Sequence, residues 1–449
     1  MSGLEKWIKT SMSRAFNTVE GARLVNSVVK LRHVSIAASV VTLALACAGS
    51  GNAQAPTAPT AAMTLQQIMD VAKTQNPALL ATEQNLRAVK AQETQAGLRA
   101  NPYFTLYGTN VTLPAQGASN PYAYSAQVSR LFELGEKRRW RLDIARSTTD
   151  QTAAQYRDQQ RQTMYALKQA FTNMLLSKAL LKLAQDNLSD FRHEIDISNE
   201  RYKAGDIGKL DFERLDLQLS QFESDEATAK VNLQQASLQL QTLAGFAQPT
   251  DTFDVVGDIA PPVVNETLTT LEQKALAARP DYQAAMAAIQ VADANVKLAN
   301  ANAWTDPTLE GEYDRSGTYN SAGFSINIPL RIFDRNQGNK ETARYQAQSV
   351  RLSQTAALNQ LHSDVAQAWV GYTVSKALSD RYSSHYVAES KDVLSIAQFA
   401  YEHGGIALID YLDALRGSRT TETNALNAYG QTWMAIHQMS FATATEVVP

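Results

Sequence analysis

The chain has 449 residues, of which 44% are hydrophobic and 19% are charged, with one cysteine and a formal net charge of −3. This composition excludes an intrinsically disordered protein, a disulfide scaffold and a zinc site built from cysteines. Without residues 1–55, which are set apart below, 35 basic and 42 acidic residues remain, so the body carries a charge of −7. The charge indicates no basic surface for nucleic acid, and a mildly acidic body is compatible with cationic cargo.

Residues 1–55 have the layout of an export signal. Lys30, Arg32 and His33 precede an apolar run at 34–48, which is followed by small residues. A helix that crosses a membrane needs about 20 apolar residues, whereas a secretory signal peptide has a shorter run such as this one. We therefore predict a signal peptide at 1–55. Cys47 stands near the place of a lipoprotein cysteine, so it is either a lipidation site or part of the discarded signal.

The body of the chain is dominated by long stretches that lack helix breakers. Between Gly135 and Gly205 there are 69 residues without Gly or Pro, and a helix of that length extends about 100 Å. Similar runs cover 209–244, 339–403 (interrupted only by Gly371) and about 409–441. Within the first run, apolar residues recur every seven positions and mostly small residues follow three places later, which predicts a coiled-coil seam. The seam comprises Leu167, Met174, Leu181, Leu188, Ile195 and Tyr202, partnered by Ala170, Ser177, Ala184, Phe191 and Ser198.

Four segments alternate like β-strands, and they occur in two pairs at 103–113 with 122–131 and at 308–315 with 319–330. Alternation of apolar and small polar residues over about ten positions is typical of transmembrane barrel strands. Beyond residue 62 no stretch reaches 18 consecutive apolar residues, so any membrane crossing would need a barrel and not helices. Glu310, Glu312 and Asp314 share one strand face, which we expect to line a water-filled lumen. The alternative is two exposed hairpins on a soluble protein.

The order of these landmarks occurs twice. Asn76-Pro77 begins a helix that is expected to reach residue 100, and Arg279-Pro280 begins one that is expected to reach residue 303; a strand pair follows each. The helix-to-helix turns at 202–212 and 401–411 share Tyr, Gly, Ile, Asp and an aromatic residue at an offset of 199, and the strand exits at 131–139 and 330–338 match at the same offset.

We therefore predict two repeats, 56–245 and 266–449, joined by a linker at 246–265. In each repeat two shorter helices are expected to stack end to end along one long helix, because the returning helix is too short to match its partner.

Two such halves, with Leu-Phe-Glu-Leu-Gly at 131–135 and Ile-Pro-Leu-Arg-Ile-Phe-Asp-Arg-Asn-Gln-Gly at 328–338, resemble the TolC-type outer membrane efflux proteins over residues 63–445. The second phrase is similar to the branch that serves cobalt–zinc–cadmium and nickel efflux pumps of the resistance–nodulation–division type. The resemblance implies a mainly α-helical protein with a small transmembrane β part, located in the bacterial outer membrane. It also implies a homotrimer in outer membrane lipid, a periplasmic adaptor protein and an inner-membrane resistance–nodulation–division pump.

In that family each chain gives four strands to one 12-stranded barrel, which continues as an α-helical coiled-coil tunnel across the periplasm. The residues of this chain also require that several copies close one barrel together. Four strands cannot close a barrel, open strand edges are not tolerated in lipid, and three copies are the smallest number that gives a lumen wider than an eight-stranded barrel filled by side chains.

The resemblance also implies an entrance gate at the turns. Asp410 and Asp413 share a helix face and occupy the positions of the acidic pair that narrows the periplasmic entrance in the family, and Asp211 is the equivalent acid of the first repeat. The alternative is that these acids are solvated or act only as charges at a helix N terminus. Ile406 stands where the family's best-known member has a bracing arginine, so that brace is not expected here. The adaptor is expected to dock on the turn residues Gly205, Asp206, Ile207, Gly208, Gly404, Gly405, Ile406 and Ala407.

No catalytic motif is present, and we predict no enzyme, no cofactor and no bound metal. The six histidines, at 33, 193, 362, 385, 403 and 437, lack the spacing of a metal cage and are interpreted as isolated residues on helix surfaces. No nucleophile elbow, phosphate loop or dinucleotide fingerprint occurs. Three function classes stay open: a duct for divalent heavy-metal cations, a duct for organic drugs or secreted proteins, and a structural periplasmic coiled-coil protein or adhesin without a conduit.

Overall fold

The computed structural model describes residues 62–109 and 122–448, which form long helices and one small sheet. The helices are α1 (Leu65–Gln75), α2 (Pro77–Ala96), α3 (Lys137–Ala204), α4 (Lys209–Ala244), α5 (Leu268–Ala278), α6 (Pro280–Ala301), α7 (Gln337–Arg381), α8 (Val387–Glu402) and α9 (Leu408–Thr443). The strands are β1 (Tyr103–Thr109), β2 (Ala123–Leu131), β3 (Thr308–Ser316) and β4 (Tyr319–Asn327). The predicted signal peptide with Cys47, and the end of the first predicted strand, lie outside the described residues.

The long helix predicted from the absence of Gly and Pro is confirmed as α3, which contains 68 residues. It ends at Gly205, whose φ of 86° lies in the left-handed region that glycine adopts without strain. Gly205 donates its N–H to Tyr202 O, and Asp206 donates to Arg201 O at 2.9 Å, which is the bonding of a Schellman turn. The returning helix α4 has the predicted bounds.

The two shorter helices of the first repeat stack end to end, as predicted. Asn76 caps α2 by accepting the N–H of Ala78 at 2.9 Å, and its amide donates to Leu243 O at 2.8 Å, in the last turn of α4. Gly245 ends α4 with a φ of 90°, and a Cβ at this position would stand 2.9 Å from the backbone of Asn76. A glycine is therefore needed where the two helix ends meet.

Several helix and strand bounds differ from the sequence expectation, and three differences have a clear physical basis or consequence. Helix α2 ends at Ala96, four residues early, and β4 ends at Asn327 shortly before Pro329, which has no N–H to donate to a ladder. Gly371 does not interrupt α7, because a single exposed glycine inside a helix costs only about 1 kcal/mol. The interruption lies instead in a π-helical segment, Tyr382–Tyr386. There the hydroxyls of two serines donate to the carbonyl of Asp380 at 3.1 and 2.6 Å, competing with the helical ladder.

The offset between corresponding residues of the two repeats changes by one along the chain, which the sequence match alone does not show. The residues before α3 and α7 are Glu136 (φ 58°, ψ 25°) and Asn336 (φ 59°, ψ 27°), so these helix starts correspond at an offset of 200. The turns at the other ends keep the predicted offset of 199, with Gly205 and Gly404 both at positive φ. The residues that begin the two long helices therefore correspond one residue later than the sequence match suggested.

The predicted seam of α3 is buried along part of its length. Leu167, Met174 and Leu188 are buried, Leu181 and Ile195 are half-buried, and Tyr202 at the tip is 37% exposed. Three hydrophobic clusters organise the core: one joins α1, α3 and α4 with the linker, a second joins α5, α7 and α9, and a third joins both helix pairs near their tips. Helix α3 contacts helices of both repeats and therefore joins them.

The surface interpretation of His437 was wrong. The residue is 5% exposed, and its Nε2 lies 2.8 Å from the hydroxyl of Thr172 on α3. Burial, with the nearby Lys168 ammonium adding to it, lowers the pKa of His437 to about 4. The sequence could not reveal this, because α9 covers α3 with a face that includes His437, and that contact joins residues 265 positions apart.

The sheet has the order β1-β2-β3-β4 with all neighbours antiparallel. Its central pairing, β2 with β3, joins the two repeats in a register from Leu131 opposite Thr308 to Ala123 opposite Ser316. Among the described residues, no helix is both long enough and apolar enough to cross a membrane.

Candidate functional site

The sheet separates an apolar face from a polar one. Because side chains alternate along a strand, the observed registers place Phe104, Leu106, Tyr124, Ala126, Val128, Leu309, Tyr313, Ala322, Phe324 and Ile326 on one face. These side chains are exposed to a large degree, reaching 83% at Phe324. Only Arg130, Arg315 and Asn320 interrupt this face with long polar side chains, and all three stand near strand ends.

The opposite face collects the three predicted lumen acids with small polar residues. Glu310, Glu312 and Asp314 stand in the middle of this face and are half-buried. Their cross-strand neighbours are Ser129, Gln127 and Ser125 on β2 and Ser325, Gly323 and Ser321 on β4. The sheet thus presents a row of carboxylates on the side away from most of its exposed apolar residues. The carboxylate side also carries Tyr103, Tyr107 and Tyr319, and Leu131 at the end of β2. An arrangement of this kind suits a surface with water on one side and lipid on the other.

Both outer edges of the sheet carry unused backbone donors and acceptors. In the described residues β1 pairs only with β2, and β4 pairs only with β3. All nine residues of β4 are exposed, and the apolar exit after it is also uncovered, with Phe333 89% exposed. Unpaired edges with apolar neighbours require a partner strand, particularly in lipid.

The two helix-to-helix turns are nearly identical in their backbone geometry. The residues before α4 and α9, Gly208 and Ala407, have φ −75° with ψ 156° and φ −75° with ψ 155°. In each turn the central isoleucine, Ile207 or Ile406, is half-buried, and the other six predicted docking residues are exposed. The repeat therefore produces two equivalent tips with similar exposed backbone.

The tips of the two repeats pack against each other. Leu188, Phe191, Leu215 and Phe222 of α3 and α4 form one hydrophobic cluster with Tyr401, Leu408, Tyr411 and Leu412 of α8 and α9. Arg419 joins the repeats through an ion pair with Asp225, and its guanidinium lies 3.8 Å from the centre of the Phe222 ring. Arg416 donates to Gln218 at 3.1 Å. Within one chain the tip is held by both apolar and charged contacts.

A buried carboxylate lies inside this cluster. Glu194 is 9% exposed, and burial together with the neighbouring Glu402 raises its pKa, against the effect of Arg201. Tyr401 and Tyr411 stack at 5.3 Å beside it, and burial raises the pKa of both phenols. The burial of Glu194 could not be predicted from the sequence, because nothing in the local sequence distinguishes it from the solvated acids of the same helix.

The three predicted gate acids occupy the first turns of α4 and α9. Asp410 accepts the N–H of Ala407 at 3.3 Å and so stabilises the start of α9. Asp413 is exposed one turn later on the same helix. Asp211 is half-exposed and lies 3.7 Å from Arg214, which offsets its charge. The first repeat therefore carries a weaker acidic turn than the second.

In residues 62–109 and 122–448, no group of three or more His, Cys, Asp or Glu side chains is arranged to hold a metal ion. Within one chain the side chains of Glu312 and Asp314 lie in contact on the polar face of β3. A ring of such carboxylates requires several copies of the chain.

The model of the outer membrane efflux protein family matches residues 68–246 and 271–444, and the chain belongs to that family. The family is one of efflux channels and not of enzymes. The chain is 25% identical over 397 residues to the cobalt-zinc-cadmium resistance protein CzcC of Cupriavidus metallidurans, covering 87% of this chain and 93% of that protein. It is 24% identical to the nickel-cobalt-cadmium resistance protein NccC of Alcaligenes xylosoxydans, covering 73% of this chain and 75% of that protein.

The fold is also shared with a solved structure. A crystal structure of a membrane protein from Pseudomonas aeruginosa superimposes with a TM-score of 0.75 at 20% identity, covering 84% of this chain and 92% of that one. The fold class expected from the sequence, long helices with a small sheet, is confirmed.

Proposed function

We propose that this protein is the outer membrane channel of a tripartite efflux system and that it passively conducts divalent heavy-metal cations to the exterior. An inner-membrane resistance–nodulation–division pump would supply the energy, and a periplasmic adaptor would join pump and channel. The observation that carries the proposal is the match of both repeats to the outer membrane efflux family. The metal cargo is supported by the relatives that are named for cobalt, zinc, cadmium and nickel resistance.

The two-faced sheet supports the outer membrane location. Three chains would contribute 12 strands, with the apolar face toward lipid and Glu310, Glu312 and Asp314 toward the lumen. Nine carboxylates would then surround the pore at the level of the sheet. A pore lined in this way favours cations over anions through its electrostatic potential.

The acidic turns support an entrance at the opposite end of the tunnel. In a trimer Asp410 and Asp413 would form two rings of three carboxylates one helical turn apart, with Asp211 adding a third ring that Arg214 partly neutralises. Carboxylate oxygens are good ligands for divalent cations. The rings would therefore attract cations before they enter the tunnel, in addition to the capping role of Asp410.

The region above the turns supports adaptor docking. Between α4 and α9 lies an open cleft of about 690 Å³, whose lining includes Leu217, Ile409, Arg214 and Arg416. Leu217 and Ile409 are 74% and 53% exposed. Exposed aliphatic residues beside arginines provide a surface suited to a helical partner with its own apolar and acidic positions. The equivalent turns Gly205–Gly208 and Gly404–Ala407 would give each chain two similar docking places.

Two measurements test the proposal. In planar bilayers the purified mature protein should form cation-selective pores as a heat-resistant trimer, and absence of conductance would favour a structural role. In the parent bacterium, deletion of the gene should lower tolerance to zinc, cobalt, cadmium or nickel salts and leave tolerance to organic drugs unchanged. The reverse pattern would identify the cargo as organic compounds.

A further inference from the structure

The start of α3 is tied to the second repeat by a buried ion pair. Lys137, whose side chain is 6% exposed, places its Nζ 2.6 Å from Asp306 Oδ2 and 2.8 Å from Trp304 O. The other oxygen of Asp306 accepts the N–H of Leu134 at 2.8 Å. These bonds join the strand exit of the first repeat to the segment that enters β3. We call this contact, centred on Lys137 and Asp306, the repeat junction.

Each member of the repeat junction has a counterpart in the other repeat. Lys137 is the first residue of α3, and Gln337 is the first residue of α7, after N-cap residues of the same backbone conformation. Asp306 stands directly before Pro307, and Asn101 stands directly before Pro102, in each case two residues before the first residue of the first strand of the repeat. The counterpart of the charged pair is therefore a pair of neutral amides.

Gln337 and Asn101 lie at opposite edges of one sheet. Asn101 leads into β1 and Gln337 follows β4, and the strand order β1-β2-β3-β4 separates them by the full width of the sheet. Both residues are exposed. The Gln337 amide reaches only its own neighbourhood, accepting the N–H of Arg335 at 2.9 Å and donating to Phe333 O at 3.3 Å.

A second copy of the chain supplies the missing contact. Within one chain the second repeat lies beside the first, so that β3 pairs with β2 and α6 lies against α3. If the next chain follows the second repeat in the same way, its β1 pairs with β4 and its α2 lies against α7. The unpaired edges and the exposed apolar exit around Phe333 are the surfaces that this placement covers.

We propose that Gln337 of one chain and Asn101 of the next chain form the interchain counterpart of the repeat junction. The ring would then alternate between an ion pair inside each chain and an amide pair between chains. This inference rests on the trimer of the proposed function and adds the residues at which its chains meet.

The difference between the two junctions has a physical reason. The ion pair inside a chain forms as the chain folds, with both partners always present. An ion pair between chains would leave two charges apart before assembly, and each would have to lose its water when the chains meet, which is costly. Neutral amides can exchange their hydrogen bonds with water for a bond to each other at a much smaller desolvation penalty. The amide junction also avoids competition with Lys137 and Asp306 for partners of opposite charge.

A cross-linking experiment with two marked chains tests the contact. Cys47 is the only cysteine in the sequence, so Cys47→Ser gives a background without thiols. Chains carrying Asn101→Cys with one affinity tag and chains carrying Gln337→Cys with another are expressed together, and purified trimers are treated with a short bifunctional maleimide. We expect a covalent dimer that carries both tags. Either chain expressed without the other should give no covalent dimer.

A matched pair inside the chain serves as the control. Leu131 and Thr308 are opposite each other in the β2–β3 register, so a chain with Leu131→Cys and Thr308→Cys should cross-link within itself and keep the mobility of a monomer. The same two substitutions on separate chains should give no dimer. If Asn101→Cys and Gln337→Cys behave like this control, the inference is wrong.

A charge test asks whether the contact contributes to assembly. Asn101→Lys with Gln337→Lys places like charges at each interchain junction and should abolish the heat-resistant trimer band. Asn101→Asp with Gln337→Lys restores opposite charges and should retain the band. Equal trimer levels in both variants, with no mixed covalent dimer, would overturn the inference and leave the proposed function standing. Absence of any trimer from the unmodified protein would contradict the proposed function itself.

Discussion

Gly430 of α9 lies so close to Leu176 of α3 that a Cβ at position 430 would stand 2.8 Å from Leu176 Cδ2. The two helices come from different repeats, so this close approach is one of the contacts that join the halves of the chain. A glycine inside a helix costs about 1 kcal/mol relative to alanine. A side chain at position 430 would require the end of the Leu176 side chain to move.

We expect Gly430→Leu to lower the free energy of unfolding by roughly 1–3 kcal/mol, because extra atoms in a packed contact force the helices apart. Leu176→Ala combined with Gly430→Leu should recover part of the lost free energy of unfolding, because it removes the side chain that would clash with residue 430. Thermal and denaturant unfolding of the purified protein measure both effects. Gly417→Leu on the same helix, where no atom lies within 4 Å of an added Cβ, is the control. Equal losses at 417 and 430 would contradict the close-approach argument.

The buried His437 makes stability depend on pH. Its pKa is lowered from 6.5 to about 4 in the folded chain, so the unfolded chain binds more protons between those values. Stability should therefore be complete above about pH 6.5 and fall by roughly 3 kcal/mol as the pH drops toward 4. The melting temperature measured across this range should decline less in His437→Gln, whose amide can still bond to Thr172.

The effect of the charged neighbours of His437 on the pH dependence must be distinguished from the effect of the histidine itself. Lys168 lies near the ring and is paired with Glu446, 2.5 Å away. Glu446→Gln removes that partner without touching the ring. If Glu446→Gln abolishes the acid dependence and His437→Gln leaves it unchanged, the dependence belongs to the ion pair and not to the histidine.

The gate acids predict a cation block from the periplasmic side. In single-channel recordings, added divalent or trivalent cations should reduce the current by binding across the carboxylates of three chains. Asp410→Asn with Asp413→Asn should weaken that block at least tenfold. We choose Asn because Asp410 accepts the N–H of Ala407, and an amide oxygen preserves that cap while it removes the charge.

Asp211→Asn is the comparison for the gate. Its carboxylate already faces Arg214 at 3.7 Å, so the substitution should change the block much less than the double substitution on α9. All variants should form trimers of normal heat resistance, because exposed charges at a helix end contribute little to packing. If the block survives in Asp410→Asn with Asp413→Asn, these acids act only as helix-terminal charges.

The lumen acids predict the ion selectivity of the barrel. Glu310→Gln, Glu312→Gln and Asp314→Asn together should reduce the ratio of cation to anion permeability, measured from reversal potentials in a salt gradient. Their side chains share the polar face of β3, so the neutral variants should leave strand pairing and trimer yield unchanged.

A triple substitution elsewhere separates local charge from net charge. Glu200→Gln, Glu341→Gln and Asp380→Asn remove the same number of acids from exposed helix positions. Selectivity should persist in this control. Anion selectivity of the unmodified pore would contradict the assignment of this sheet face to the lumen.

Local sequence patterns were enough to predict the elements whose causes are local. The absence of Gly and Pro predicted the bounds of α3 and α4 nearly to the residue, because these two residues are the least favourable inside a helix. Gly205 and Gly404 predicted the two turns, because both positions need positive φ. The alternation of side chains along a strand predicted that Glu310, Glu312 and Asp314 share one face, because every second residue points to the same side. The duplicated order of these signals was sufficient to define the two repeats.

Features that depend on contacts between distant segments became visible only in the folded chain. The burial of His437 against Thr172, the ion pair of Lys137 with Asp306 and the position of Glu194 inside the tip cluster each follow from how one helix or segment lies on another. The π-helical segment also escaped the sequence analysis, since its serines bond to a backbone carbonyl that any helix would offer. A local pattern states which face of an element is apolar, but it does not state which side chains lie opposite that face. Thr172 and His437 are 265 positions apart, and Lys137 and Asp306 are 169 positions apart. The charge and volume of the opposing side chains decide which buried groups are paired, and no local rule contains that information.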